Sequence, residues 1–269
     1  MKKGNIPLLR EERLWRIAQK LTKEHKVLAH RLADEFGLGL ATIRLDLAEL
    51  ERRGLAKRVY GGAVLQAPEQ LDHAVEASEA RLTERLDVLQ GEKEAIGRAA
   101  AALLEDNETI MIDGGTTTFQ VCRHLTNRCN LTIITCALHS LWQELAMRPN
   151  LDIFLTGGYL RGTTLSLVGD VAENTLRGFR ASKAILGIDG ISLEHGLTTI
   201  NFLEAGVKRR MIEASQQLII VADHTKFGKV CLMPVAPVER AAKIITDAGV
   251  SPEFVQQLRE RGVEVIIAT

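Results

Sequence analysis

The sequence predicts an α/β protein in two parts: a small N-terminal winged helix-turn-helix joined to a larger α/β domain with a mainly parallel sheet. Three observations predict this. Apolar residues recur at helical spacing as far as residue 53, then give way to short strand-like runs around Gly61-Gly62. From Glu92 onward, short apolar runs alternate with helical stretches, the texture of a parallel sheet covered on both faces. Charge is also unevenly divided: residues 1–64 hold 14 Lys and Arg against 8 Asp and Glu, and the remainder holds 20 against 26, so the net charge of zero conceals a basic head on an acidic body. That asymmetry is expected when one end of a chain meets a polyanion. At 269 residues, 46% hydrophobic and 25% charged, the chain suffices for two cores.

The N-terminal elements follow in order. Leu14, Ile17, Ala18 and Leu21 form one face of a helix expected over residues 8–21. Val27-Leu28-Ala29 leads into a second helical pattern through Leu28, Leu32, Ala33 and Phe36, which stops at Gly37-Leu38-Gly39. A third helix is expected from Leu40 to Arg53, with Ile43, Leu47 and Leu50 inward and Gly54 as its C-terminal stop. Leu55–Tyr60 and Ala63–Leu65 read as the strands of a small hairpin. Two helices joined by a glycine-containing turn and followed by a third amphipathic helix make a helix-turn-helix pattern, with the hairpin as its wing. Opposite the inward face of the third helix stand Thr42, Arg44, Leu45, Glu49 and Arg52. Residues near the start of such a helix reach base edges in a major groove, and Arg or Lys along its rim contact phosphates. Thr42, Arg44, Leu45 and Arg52 are therefore expected to meet double-stranded DNA, with Lys57 and Arg58 adding backbone contacts from the wing. On pattern alone, a solvated basic face of a three-helix bundle is the alternative.

Residues 66–91 lose the apolar period, carry Pro68 and many charges, and are expected to form a partly helical connector between domains over 1–65 and 92–269. Beyond it the pattern gives a helix over 92–104, a strand over 109–113, a Gly/Thr loop and a helix over 119–125. Further strands are expected at 131–135, 151–156, 184–188, 218–222, 243–246 and 263–267. Helices are expected at 138–146, 171–176, 203–214 and 252–261.

Chemistry gathers where these strands end. Asp113-Gly114-Gly115-Thr116-Thr117-Thr118 stands between a strand and a helix. Glycines there let the backbone approach an anion, and successive N–H groups at a helix N-terminus supply partial positive charge. Thr156-Gly157-Gly158 repeats the arrangement after another strand, at the edge where open α/β sheets bind ligands. A third cluster holds Asp189, Glu204 and Lys208, the last two one helical turn apart, and Asp223, Lys226 and Lys229 follow the next strand. Carboxylates hold sugar hydroxyls and lysines neutralise phosphate; an ordinary surface ion pair is the alternative for Glu204 and Lys208. No Lys follows the glycines and GxGxxG is absent, so a small phosphoester fits better than a nucleotide, and no cofactor is expected. Cys122, Cys129, Cys136 and Cys231 contain no CxxC pair and are expected as reduced thiols, with no metal site. No stretch approaches the roughly 18 apolar residues of a membrane span. The first residues do not read as a signal peptide, and a cytoplasmic protein is expected.

Leu32-Ala33-Asp34-Glu35-Phe36, Thr42-Ile43-Arg44-Leu45-Asp46-Leu47 and Gly61-Gly62-Ala63, followed by the sensor blocks in order, resemble the DeoR family of bacterial transcriptional regulators over essentially the whole chain. Gly39 stands where that family typically has Ser, a change that costs only a few tenths of a kcal/mol by general capping data. Leu45 stands where a second Arg is usual, leaving Arg44 as the main anchor. The resemblance implies a C-terminal domain similar to ribose-5-phosphate isomerases in fold, and a repressor of carbohydrate catabolic genes, not an enzyme. It also implies release from operator DNA by a phosphorylated sugar or alditol, and commonly a homo-oligomer, dimer or tetramer. By the same analogy the phosphate lies at Gly114–Thr118, with Asp189, Glu204, Lys208 and Lys226 around the sugar; Asp113, Gly157 and Gly158 are expected at the effector from their place in the strand-end loops. An isomerase-type enzyme with an appended DNA-binding domain is the competing reading, because Asp189, Glu204 and Lys208 include residue types for proton transfer.

Overall fold

The computed structural model describes residues 10–52, 54–65, 80–125, 128–140, 144–146, 148 and 150–269. Residues 8 and 9 and Arg53 of the expected helices, most of the expected connector and part of the helix expected at 138–146 lie outside them. The chain divides into two compact units, within residues 1–77 and 78–269.

The first unit runs α1 (Arg10–Glu24), β1 (Lys26–Leu28), α2 (Ala29–Phe36), α3 (Leu40–Arg52), β2 (Ala56–Val59) and β3 (Gly62–Leu65). Leu14, Ile17, Leu21, Leu32, Ile43, Leu47 and Leu50 form its core, the residues that the helical period selects. The segment expected to lead into the second helix is instead the strand β1, antiparallel to β3 with Leu28 opposite Gly62, in a sheet ordered β1-β3-β2. The two glycines of the wing have different tasks. Gly61 supplies a left-handed turn at φ +80°, whereas a Cβ on Gly62 would lie 2.0 Å from the Val27 carbonyl oxygen. A buried, two-pronged ion pair, with Arg13 Nη2 2.9 Å from Asp46 Oδ1, ties α1 to α3.

Among the described residues the second unit holds a seven-stranded parallel sheet ordered β15-β14-β12-β9-β4-β5-β6. In chain order it comprises α4 (Leu82–Leu86), α5 (Gln90–Ala102), β4 (Thr109–Ile112), α6 (Thr116–Arg123), β5 (Leu131–Thr135), α7 (Leu138–Ser140), β6 (Leu151–Leu155), β7 (Tyr159–Arg161), β8 (Ser166–Val168) and α8 (Asp170–Arg177). Then follow β9 (Ala181–Gly187), β10 (Gly190–Ser192), β11 (Gly196–Thr199), α9 (Phe202–Glu213), β12 (Ser215–Val221), β13 (Met233–Ala236), β14 (Lys243–Asp247), α10 (Pro252–Glu260) and β15 (Glu264–Ala268). Ile110, Ile112, Ile133, Ile185, Ile219, Val221 and Ile245 pack in one buried cluster on one face, and the alternate residues Met111, Ile134, Leu186, Ile220 and Ile244 are buried on the other, as strands covered on both faces require. The chain builds β4, β5 and β6 outward in one direction, then returns to place β9 on the other side of β4. The sheet therefore reverses its winding between β4 and β9, the kind of point where open α/β sheets bind ligands beyond the strands' carboxyl ends.

Helix α4 and the start of α5 lie within the expected, partly helical connector. Three features of this unit depart from the sequence reading. The helix expected from Phe119 begins at Thr116, so the threonines form its first turn and not a loop before it. The pair β7–β8 and the small sheet β10-β11-β13 were not anticipated, because strands of three or four residues are too short to show a period. No described helix is long and apolar enough to cross a membrane.

Candidate functional site

Loops after β4, β9 and β12 converge on one pocket. From the first come Gly114, Gly115, Thr116 and Thr117, from the second Ile188 and Asp189, and from the third Ala222, Asp223, Thr225 and Lys226. Helix α9 contributes Glu204 and Lys208, and α4 and α5 close the side with Leu82, Arg85 and Lys93.

The start of α6 is open. Gly115 is its N-cap and no side chain caps it. The N–H groups of a first helical turn have no intrahelical partners and carry the positive end of the helix dipole. Thr116 and Thr117 border the pocket, but Thr118 is fully buried and its hydroxyl donates back to the Gly115 carbonyl at 3.1 Å. Gly114 is required by its neighbour, since a Cβ there would stand 2.2 Å from Ser166 Oγ.

The floor of the pocket is ionic. Lys208 Nζ donates to Asp113 and, at 2.9 Å, to the Gly187 carbonyl. Both side chains of this pair are about 95% buried. Burial pulls the Lys208 pKa down, but the carboxylates of Asp113, Glu204 and Asp189 outweigh it and hold the ammonium above its ordinary value. Glu204 pairs with Arg161 and accepts the Thr164 hydroxyl at 2.6 Å. Asp189 accepts the Thr199 hydroxyl at 2.6 Å and the Ile200 N–H at 3.3 Å, and Arg85 stands 3.6 Å away. Burial alone would raise the Asp189 pKa; Arg85, Lys208 and these hydrogen bonds hold it below the usual carboxylate value.

On the α4 side, Lys93 Nζ donates to the carbonyls of Arg85 at 2.6 Å and Val88 at 2.5 Å. Burial, with Arg85 and Lys226 nearby, lowers its pKa to about 8, although Asp223 opposes the shift. Asp223 is itself occupied by Thr225, accepting its N–H at 3.0 Å and its hydroxyl. Arg85, Lys93, Lys208 and Lys226 thus share one cavity with Asp189, Glu204 and Asp223. Such a site can accept a phosphate at the α6 N-terminus and hydroxyls at the carboxylates.

The structure brings together Gly114, Gly115, Thr116, Thr117, Asp189, Glu204, Lys208 and Lys226 of the expected effector residues, with Asp113 directly behind Lys208. It leaves out Thr118, turned inward, and Gly157 and Gly158, whose φ values of +67° and +111° shape the turn after β6. A Cβ on Gly158 would lie 2.6 Å from the Val168 carbonyl oxygen, so packing requires the second of these glycines. Glu204 and Lys208 do share a helix face but do not pair with each other, and neither is a surface group. Sequence reasoning missed Arg85, Lys93, Arg161 and Thr164.

On the first unit, Arg44 and Leu45 are exposed on α3, and Lys57, Arg58 and Tyr60 are exposed on the wing. Thr42 is half-buried. Arg52 bonds Glu49 through Nε at 2.9 Å, and Arg58 bonds Glu51 through Nε and its backbone N–H, both at 2.8 Å. Arg44 and Lys57 have no ionic partner among the described residues. Those residues contain no cluster of three His, Cys, Asp or Glu able to hold a metal ion.

Comparison with known proteins covers both units. Residues 13–69 match the model of the DeoR-like helix-turn-helix domain, and residues 89–248 that of the DeoR C terminal sensor domain. The chain is 32% identical to a protein provisionally named as an aga operon transcriptional repressor of Escherichia coli O157:H7, over 95% of this chain and 93% of that one. It is 35% identical to the transcriptional repressor AccR of Agrobacterium fabrum, over 89% and 90%. Among solved structures, ribose 5-phosphate isomerase A from Methanocaldococcus jannaschii aligns with a TM-score of 0.37 at 16% identity, over 51% of this chain and 54% of that one.

Proposed function

The chain belongs to the DeoR family of DNA-binding transcriptional regulators, and on that premise we propose that it represses carbohydrate catabolic genes and leaves its operator when a phosphorylated sugar or alditol fills the pocket. The observation that carries this reading is the open N-terminus of α6, facing a cavity that also holds four cations and three carboxylates. A phosphate monoester satisfies the first-turn N–H groups, and Lys226, which has no ionic partner among the described residues, meets its charge. Asp189, Glu204 and Asp223 offer acceptors to the hydroxyls of a polyol. Proton transfer, the basis of the isomerase alternative, is poorly served: Lys208 and Glu204 are each held in a buried ion pair.

Release from DNA follows by population shift, provided the effector binds better to an arrangement that does not fit the operator. We take the acting species to be a homodimer or tetramer. Mobility shifts on DNA upstream of the gene itself and its neighbours, with and without pentose, hexose and alditol phosphates, test the proposal. One phosphate ester should loosen the complex and raise the melting temperature of the protein, and its unphosphorylated parent should do neither. If no ester in the panel changes either reading, the proposal fails.

A further inference from the structure

Helix α3 divides cleanly. Ile43, Asp46, Leu47 and Leu50 are buried, and the opposite side presents Ala41, Arg44 and Leu45 to solvent. Leu45 is 68% exposed and Leu40, at the first position of the helix, 44%. A single exposed leucine needs no explanation, but this one has a setting. It lies one helical turn beyond exposed Ala41, directly after Arg44, early in the helix that follows the helix-turn-helix turn, where side chains of such motifs reach base edges. Residues 1–64 carry six more basic than acidic groups, and the Arg44 guanidinium beside Leu45 has no ionic partner among the described residues. The occupant of this face is therefore duplex DNA.

The chemistry of leucine then restricts what it can recognise there. It has no hydrogen-bonding group, so it reads neither phosphate nor the donor and acceptor edges of the bases. The apolar group that a standard base pair displays in the major groove is the C5-methyl of thymine. We infer that Leu45 reads a thymine methyl in the operator, next to the base contacted by Arg44. The inference needs DNA binding by α3 and is independent of the effector.

The test begins with full-length protein and a random-core duplex library, from which bound sequences are enriched. Each thymine of the enriched site is then replaced singly by deoxyuridine, and affinities are measured for the wild type and Leu45→Ala. One thymine should show a loss of about fourfold for the wild type, the factor given by ~0.8 kcal/mol for one buried methyl at 1.36 kcal/mol per tenfold. That loss should vanish in Leu45→Ala, and Leu45→Arg should move the preference at the same position toward guanine. Because Leu45 is exposed, the variants should melt with the wild type. The inference is overturned if no thymine methyl matters to the wild type, if the methyl effect persists undiminished in Leu45→Ala, or if the wild type enriches no sequence.

Discussion

Replacing Asp113 by Asn tests whether the Lys208–Asp113 pair is the foundation of the pocket. The substitution keeps the shape of the side chain and removes its charge, leaving the buried Lys208 ammonium with the Gly187 carbonyl at 2.9 Å and the more distant Glu204 and Asp189. Removing one partner of a buried pair costs about 3–5 kcal/mol, and the two remaining carboxylates place this case at the low end, about 3 kcal/mol. For a unit of this size each kcal/mol moves the melting temperature by about 2–4 °C, so a fall of about 6–12 °C is expected by circular dichroism. Asp113→Asn with Lys208→Met removes both charges and should recover most of the loss, because well-packed apolar replacements of buried pairs are often neutral or better. The pH dependence has a definite sign. The Lys208 pKa is raised in the native state, so its stabilisation is complete below the unfolded value of about 10.4 and is lost only as pH climbs through the higher native value. In the wild type the Lys208 side of the pair should therefore add no pH dependence between pH 6.5 and pH 8.5. A fall below about 2 °C, or a double variant as unstable as the two single variants combined, would refute the reasoning.

Lys93 carries the opposite sign: its native pKa of about 8 lies below that of an unfolded lysine, so the unfolded chain holds more protons between pH 8 and about 10.4. Its contribution to stability should rise with pH across that window, measured by denaturant titration as the difference between wild type and Lys93→Met; a flat difference would contradict the burial argument. Arg44→Ala should weaken specific DNA binding by about 1–3 kcal/mol, whereas Lys57→Ala should weaken all sequences alike and reduce the salt slope by about 1. Glu51→Gln frees Arg58 from its exposed ion pair, so the salt slope should steepen by about 1 while the melting temperature stays with that of the wild type. An unchanged slope would place Arg58 away from the phosphates.

What the sequence reveals of this protein is local, and what it conceals is long-range. The sheet is legible because strands buried on both faces are continuous apolar runs, such as Leu218-Ile219-Ile220-Val221. The third helix is legible because Ile43, Leu47 and Leu50 repeat at its own period. Strand order is not local, and it decides which glycine pair borders the pocket. Gly114-Gly115 and Gly157-Gly158 look alike in sequence, but the first follows β4 at the reversal of the sheet and the second follows β6 at its edge. Helical spacing placed Glu204 and Lys208 on one face correctly and could not reveal that Arg161, 43 residues away, and Asp113, 95 residues away, take them as partners. Arg85 lies on a five-residue helix with no period to read, docked by the Leu82 N–H to the Thr163 carbonyl at 2.8 Å. Asp46 is concealed for the same reason: a carboxylate on the inward side of α3 is compatible with burial only because Arg13 reaches it from α1.

The unequal strength of these contacts limits how an effector could act. On the proposed reading, moving an operator-bound population from 99:1 to 1:99 requires about 5.5 kcal/mol of differential affinity. Only groups placed differently in the two states supply any of it. The Lys208–Asp113 and Arg161–Glu204 pairs are deeply buried and locked by further hydrogen bonds, so they favour one fixed geometry and discriminate little between states. The α4 side has one looser contact: Arg85 meets Asp189 at 3.6 Å with a quarter of its side chain exposed, whereas Lys93 is buried and ties the segment through backbone carbonyls. A phosphorylated polyol that engages Asp189 competes with Arg85, and one that brings charge beside Lys93 strengthens the ammonium there. The differential affinity must then arise mainly between α4 and the ligand, with the buried floor acting as the fixed surface against which that difference is measured. Helix α4 is also the first described element of the sensor unit after β3 of the wing, so the wall of the pocket that carries Arg85 is the part that follows the DNA-binding unit most directly along the chain.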